Sequence, residues 1–135
     1  MDCIFCKIIK KEIPAKIIYE DDKFLSFLDI EPNTEGHALV ISKDHVENFS
    51  SLSAQAAAEL IQAVHKIAPQ LARILGADGY NLAINNGRAA GQLVDHAHWH
   101  IIPRYVGDNL VHWPHSQAAK EKLDLTFTKI EGQIK

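Results

Sequence analysis

The sequence predicts an α+β fold, a five-stranded antiparallel sheet with one long helix and short helices at the two ends. Three observations lead there. Short apolar runs, each bounded by turn residues, recur as strand-length segments before and after residue 60. One long stretch, between Ala54 and Gly76, carries apolar residues at helical spacing over several turns. Finally, strands flank that helix in groups instead of alternating with helices, which argues against the winding of a parallel sheet.

Taken in order, Ile4 to Ile9 reads as a short helix with Phe5, Ile8 and Ile9 on one side, and Pro14 ends it. Ile17 to Glu20 and Phe24 to Asp29 are strands joined by Asp21-Asp22-Lys23, a hairpin with a tight acidic turn. Pro32-Asn33 breaks the chain, and Gly36 to Ser42 supplies a third strand. Ser51 or Ser53 caps the long helix, and Leu60, Ile61, Val64, Ile67 and Leu71 form its buried stripe. Pro69 falls inside the pattern and removes a backbone bond, predicting a kink or two abutting helices; Gly76 ends the element. Tyr80 to Asn85 is the fourth strand. The tail from about residue 114 is irregular in composition, with Leu123, Phe127, Ile130 and Ile134 fitting one C-terminal helical stripe.

The fifth strand is the most informative. In Asp95-His96-Ala97-His98-Trp99-His100-Ile101-Ile102-Pro103-Arg104, three histidines alternate with Ala97, Trp99 and Ile101. Strict alternation places His96, His98 and His100 on one face, about 7 Å apart from one to the next, with the apolar set turned to the core. Pro103 closes the run, since proline donates nothing to a ladder. Such a row of imidazoles suits either metal ligation or phosphate chemistry, in which a neutral imidazole attacks phosphorus and its neighbours donate to the charged oxygens. An idle exposed face is the weaker reading for three histidines in register among the 8 of the chain.

Composition narrows the partners. The 135 residues fit one domain, 1–135, with a single core, and the 47% hydrophobic and 23% charged fractions are those of a soluble protein. A net charge of -3 provides no basic field for a nucleic-acid polymer. No apolar run reaches the ~20 residues a membrane span needs, and the first residues lack the layout of a signal peptide. Both cysteines lie in the first six residues, with two residues between them, which favours cytosolic metal binding or reduced thiols over a disulfide framework. The expected location is the cytoplasm.

His96-Ala97-His98-Trp99-His100-Ile101-Ile102 resembles the His-x-His-x-His-x-x motif, with x apolar, of the histidine-triad (HIT) nucleotide hydrolases and transferases. The likeness runs from about Cys3 to Trp113 and is greatest to the small branch that hydrolyses nucleoside phosphoramidates, in its bacterial-type, zinc-containing form. That resemblance implies a five-stranded antiparallel sheet in each subunit of a homodimer. It also implies cleavage of the bond to the α-phosphate of an AMP-like purine nucleotide through a nucleotidyl-histidine intermediate. The alternatives are a dinucleoside-polyphosphate hydrolase, with a different leaving group, and a zinc-stabilised nucleotide-binding protein with vestigial turnover.

Carried onto this sequence, the resemblance assigns roles. His98, the central histidine, is the candidate nucleophile, and its ordinary pKa near 6.5 leaves it mostly neutral at pH 7 without help from a strong base. His100 is expected to donate to the α-phosphate, and His37, in Gly36-His37-Ala38-Leu39-Val40, matches the additional histidine that supports the triad. Asn85 and Gln92, in Asn85-Asn86-Gly87-Arg88-Ala89-Ala90-Gly91-Gln92, match phosphate-contacting residues, and Gly91 suits close approach of backbone to ligand. Asp29 matches the acid that accepts from the ribose hydroxyls. Ile4, Phe5, Leu25, Phe27 and Ile30 are expected to line the base slot. Cys3-x-x-Cys6 has zinc-ligand spacing, and with His45 and His96 it matches a closed Cys2His2 set, hence a structural zinc and no organic cofactor. One departure stands out: Leu93 follows Gly91-Gln92 where related enzymes usually carry a polar, often hydroxyl, side chain, and Asp95 stands where an aromatic is more usual.

Overall fold

The computed structural model describes residues 2–135. Its core is one antiparallel sheet in the order β1-β2-β3-β5-β4, built from β1 (Ile17–Glu20), β2 (Phe24–Leu28), β3 (Ala38–Ser42), β4 (Gly79–Ile84) and β5 (His98–Arg104). The α+β expectation of five antiparallel strands is met, with boundaries shifted by a residue or two. β2 stops at Leu28, because Asp29 turns to bond backbone to backbone with His37 and its carboxylate accepts from the Glu31 N–H.

Alternation along the strands decides what each face does. On one face Ala38, Val40 and Ile101 pack under α2 (Ala54–Leu75), whose Leu60, Ala63, Val64, Ile67, Ala68 and Leu71 complete that cluster. Full burial of each large aliphatic side chain contributes roughly 1.5–3 kcal/mol, an upper figure for a compact denatured chain. On the other face Leu25, Phe27, Leu39 and Ile41 pack against Cys3, Phe5 and Ile8 at the start of the chain, where α1 (Ile4–Ile9) lies. In the β3–β5 ladder Leu39 pairs with His100 and Ile41 with His98, so these histidines share the second face with α1.

Ser53 caps α2, accepting from the Ala56 N–H, whereas Ser51 belongs to a short 3-10 turn capped by Asn48. Ile61 lies outside the buried stripe at 36% exposed; Ala63 and Ala68 join Leu60, Val64, Ile67 and Leu71 on the buried face instead. Pro69 does not divide the helix, which is continuous to Leu75. Pro69 and His65 both face outward, so water can satisfy the carbonyl that proline leaves unbonded. Gly76 ends α2 in the left-handed conformation at φ 68, with its N–H on the Ala72 and Arg73 carbonyls.

Two expectations for β5 need correction. Regular pairing begins at His98, not His96, because β3 ends at Ser42, one residue past the Ile41–His98 pair. Pro103 does not close the strand, which continues to Arg104 against Gly79. The Pro103 carbonyl accepts from Thr34 Oγ1 on the side where β3 has already ended. Nitrogen and carbonyl of one extended residue point the same way, so the missing N–H faces a place where no strand requires it. The single C-terminal helix is instead two, α3 (Gln117–Glu121) and α4 (Leu123–Ile130), with Ile134 beyond them and every residue of both exposed. No described helix is long and apolar enough to cross a membrane.

Candidate active site and metal centre

Backbone groups set the protonation pattern of the histidine row. His98 Nδ1 lies 2.7 Å from the His96 carbonyl, which can only accept, so Nδ1 carries the proton and Nε2 keeps its lone pair. The Asn33 N–H donates to His37 Nδ1 at 3.0 Å, which places the His37 proton on Nε2. That nitrogen donates to His100 Nδ1 at 2.9 Å, leaving the His100 proton on Nε2, a buried N–H with no partner among the described residues. An orphaned buried donor costs free energy unless a ligand meets it. A relay from the Asn33 backbone thus ends in a single donor beside a single nucleophilic nitrogen.

Burial favours neutral imidazoles throughout. It pushes His37 and His98 below the usual histidine range, against the opposing pull of the Asp29 carboxylate on both and of the His96 carbonyl on His98. Burial, with His98 and His37 nearby, lowers His100 to about 4. Asp29 Oδ2 stands 3.6 Å from His37 Nε2, near enough to polarise the relay. Asp29, His37 and His100 bring ligand-type atoms together, but the donor at His37 Nδ1 fixes a proton on Nε2, so the grouping works as a hydrogen-bond relay.

Beside this row lies a cleft of about 340 Å³ between α1 and β2. Of the expected base-slot residues Ile4, Phe5, Phe27 and Ile30 line it, with Ile30 91% exposed at its rim, and Asp29, Gly91, His98 and His100 stand on its wall. Leu25 does not; it is fully buried in the core beneath α1. Asn85 is half-buried, its Nδ2 3.5 Å from the Gly91 carbonyl. Gly91 sits at φ 92, and this backbone conformation, more than a crowded approach, is what demands glycine there. Gln92 differs from expectation. Its buried side chain accepts from the Gly87 N–H and donates to the Glu47 and Val94 carbonyls at 2.7 and 3.0 Å, so both ends of the amide are spent bracing the loop.

Cys3, Cys6, His45 and His96 converge as the spacing suggested, with all four ligand atoms within 4.8 Å of one another. Cys3 Sγ is 3.5 Å and Cys6 Sγ 3.7 Å from His96 Nδ1, and Cys6 Sγ is 3.3 Å from His45 Nδ1. A tetrahedral zinc with ordinary Zn–S and Zn–N bonds would set such sulfur–nitrogen edges near about 3.6 Å. His96 Nε2 donates to the Ser42 carbonyl at 2.7 Å, so Nδ1 is left free to ligate and its ring is oriented from behind. The donor set and its geometry fit zinc. Ser42, Asn33 and the His96 carbonyl were invisible to motif reasoning because they act through backbone atoms, which carry no side-chain signature.

Residues 10–107 match the family described as the HIT domain. The chain belongs to the histidine-triad family. Among its HIT relatives, an uncharacterised HIT-like protein of Methanocaldococcus jannaschii is 53% identical over 109 residues, covering 81% of this chain and 84% of that one. Adenosine 5'-monophosphoramidase of Schizosaccharomyces pombe is 39% identical over the whole of both chains. An adenylylsulfatase of Arabidopsis thaliana is 40% identical over 92% of this chain and 62% of its own length. A crystal structure from Streptococcus mutans superposes with a TM-score of 0.87 at 39% identity, covering 99% of this chain and 86% of that one. A zinc-bound HIT protein from Mycobacterium smegmatis gives 0.78 at 38% identity, covering 99% of both.

Proposed function

We propose that this HIT protein hydrolyses nucleoside 5'-phosphoramidates of AMP-like purine nucleotides through a covalent nucleotidyl-histidine intermediate. The observation that carries the reading is the pair of fixed tautomers, a bare Nε2 on His98 next to an unpartnered Nε2–H on His100. The whole-chain likeness to the adenosine 5'-monophosphoramidase supports the substrate class.

With the base between α1 and β2 and the ribose hydroxyls at Asp29, the α-phosphorus reaches the histidine row. His98 Nε2 attacks phosphorus, the phosphorus–nitrogen bond to the amine breaks, and the amine departs with a proton delivered from water. The His96 carbonyl holds the imidazolium formed on His98 through Nδ1–H. His100 Nε2–H donates to an equatorial oxygen, where charge accumulates, and Asn85 stands ready as a second donor. Water then attacks the nucleotidyl-histidine phosphorus, the phosphorus–Nε2 bond breaks, and the proton it loses neutralises the hydroxide left by the first step, releasing the nucleoside monophosphate and restoring neutral His98. Cys3, Cys6, His45 and His96 would hold the zinc, which supplies structural closure and no step of the reaction.

His98→Asn should abolish turnover while AMP affinity changes by less than about tenfold, because the nucleophile acts in the transition state and not in ground-state binding. Acid-quenched wild-type enzyme should carry a nucleotidyl adduct that mass spectrometry places on His98. A His98→Asn protein turning over at near the wild-type kcat would overturn the assignment.

A further inference from the structure

We infer that Phe5 is a positioning residue for His98, and that through it and His96 the metal centre governs how well the nucleophile is held. The inference rests on the proposed reaction. Three physical connections run from the Cys2His2 cluster to one imidazole.

The first is His96 itself. Its Nδ1 faces both thiols, while its carbonyl accepts from His98 Nδ1–H at 2.7 Å, so one residue is both a candidate ligand and the group that fixes the nucleophile's tautomer. The second is Phe5, which lies between the two cysteines in sequence. Its ring meets His98 edge-on at 5.1 Å and 89°, His96 at 5.9 Å and 67°, and Phe27 at 5.4 Å and 71°. At 6% exposed it is held among these three rings, with one side on the cleft. The third is the Ala97 N–H, which donates to the Val46 carbonyl at 2.7 Å and ties the His45 segment to the residue between His96 and His98.

These connections matter because α1 is only six residues long. A helix that short has almost no stability of its own, so its position is set by packing and by anchors at its ends. Cys3 accepts from the Cys6 N–H at the helix start, and ligation of both thiols would fasten that turn to the His45 and His96 segments. Without the fastening, α1 drifts, Phe5 withdraws from the His98 ring, and the ring gains freedom to rotate away from in-line geometry. Displacement of a reacting group by about 1 Å costs on the order of a hundredfold in rate.

A competing account treats Phe5 purely as a wall of the base slot, since it also lines the cleft. The two predict different kinetics. Loss of a wall weakens nucleotide binding and raises KM with kcat preserved, whereas loss of a positioning contact lowers kcat and leaves binding alone.

The decisive experiment pairs Phe5→Leu, in the zinc-loaded protein, with wild-type protein treated with a chelator and then resupplied with Zn²⁺. Each is measured three ways: kcat and KM on adenosine 5'-phosphoramidate, AMP affinity by calorimetry, and ¹⁵N NMR of the histidine rings. Phe5→Leu should lower kcat about ten- to a hundredfold, a larger factor than any accompanying rise in AMP Kd from the trimmed slot wall. In both Phe5→Leu and chelated protein, His98 should change from one Nδ1–H tautomer to a mixture, and Zn²⁺ should restore the chelated sample. Unchanged His98 resonances in both samples, or a raised AMP Kd with kcat retained in Phe5→Leu, would overturn the inference. The NMR arm needs no turnover, so it decides the point even if the wild-type enzyme proves inactive on phosphoramidates. Should Phe5→Leu fail to fold, the chelated wild type carries the same test.

Discussion

Leu93 shows what one residue can do at this site. It is 81% exposed and lines the cleft beside His98 and His100, at the position where the family resemblance leads one to expect a hydroxyl. Leucine donates nothing, so this position can give no hydrogen bond to phosphate or leaving group. A charge-assisted bond contributes roughly 1.5–3 kcal/mol, about ten- to a hundredfold in rate. Leu93→Ser should therefore raise kcat on a simple alkyl phosphoramidate with little change in AMP affinity, and an unaltered kcat in a folded variant would show that the hydroxyl is not limiting. Asp95, the other departure, pairs with Arg88 at 3.1 Å, but both are exposed, and such pairs contribute at most about 1 kcal/mol. The buried histidines make a residue-scale prediction for pH. His37 and His100 have lowered pKa values in the fold, His100 about 4, so below pH 6.5 the unfolded chain binds protons that the folded chain excludes. Stability from these two groups is complete above the unfolded value and is lost as pH falls from 6.5 toward 4. Urea midpoints should decline across that window, and more shallowly in a His37→Asn, His100→Asn double variant; a flat wild-type profile would contradict the burial of neutral rings.

Among the elements, the histidine strand was legible because alternation reports directly which side chains share a face, and His98 and His100 do. The long helix was legible for the same kind of reason, with Leu60, Val64, Ile67 and Leu71 on the buried face. What failed to show were outcomes decided by partners that a motif does not name, whether near or distant in sequence. Gln92 reads as a phosphate ligand until Gly87, Glu47 and Val94 are seen to consume its amide. Leu25 reads as slot or core equally well until α1 is laid over it. His96 belongs to the strand's alternation yet lies outside its ladder, because the end of β3 frees it to turn toward the cysteines. Helix α1 gives the element-scale prediction. A closed four-ligand site calls for about one zinc per chain, and its binding free energy is largely folding free energy for the segments it joins. Metal analysis should find that stoichiometry, and chelation or Cys6→Ser should lower Tm. Metal-free protein with an unchanged Tm would exclude the site.

For the whole molecule the question is what covers its remaining apolar surface. Among the described residues β4 pairs only with β5, leaving its other edge open, and Tyr80 and Leu82 on β4 are each 38% exposed. Beyond the sheet, Val111, Trp113, Leu123, Leu125, Phe127 and Ile130 are all exposed, Val111 and Trp113 by more than four fifths. Open edges template association unless charge, proline or a bulge blunts them, and β4 as Gly-Tyr-Asn-Leu-Ala-Ile carries none of the first two. Large apolar side chains left exposed in this number suit an interaction surface. A second copy of the chain is the simplest cover, since a two-fold axis lets one edge and one tail satisfy their equivalents in the partner. The protein should therefore sediment as a dimer at micromolar concentration, with a Tm that rises with protein concentration as mass action requires. A charged substitution at the edge, Leu82→Lys, should shift the population toward monomer and flatten that concentration dependence. A wild-type protein that sediments as a monomer, with a Tm independent of concentration, would mean that the edge and tail stand uncovered in solution.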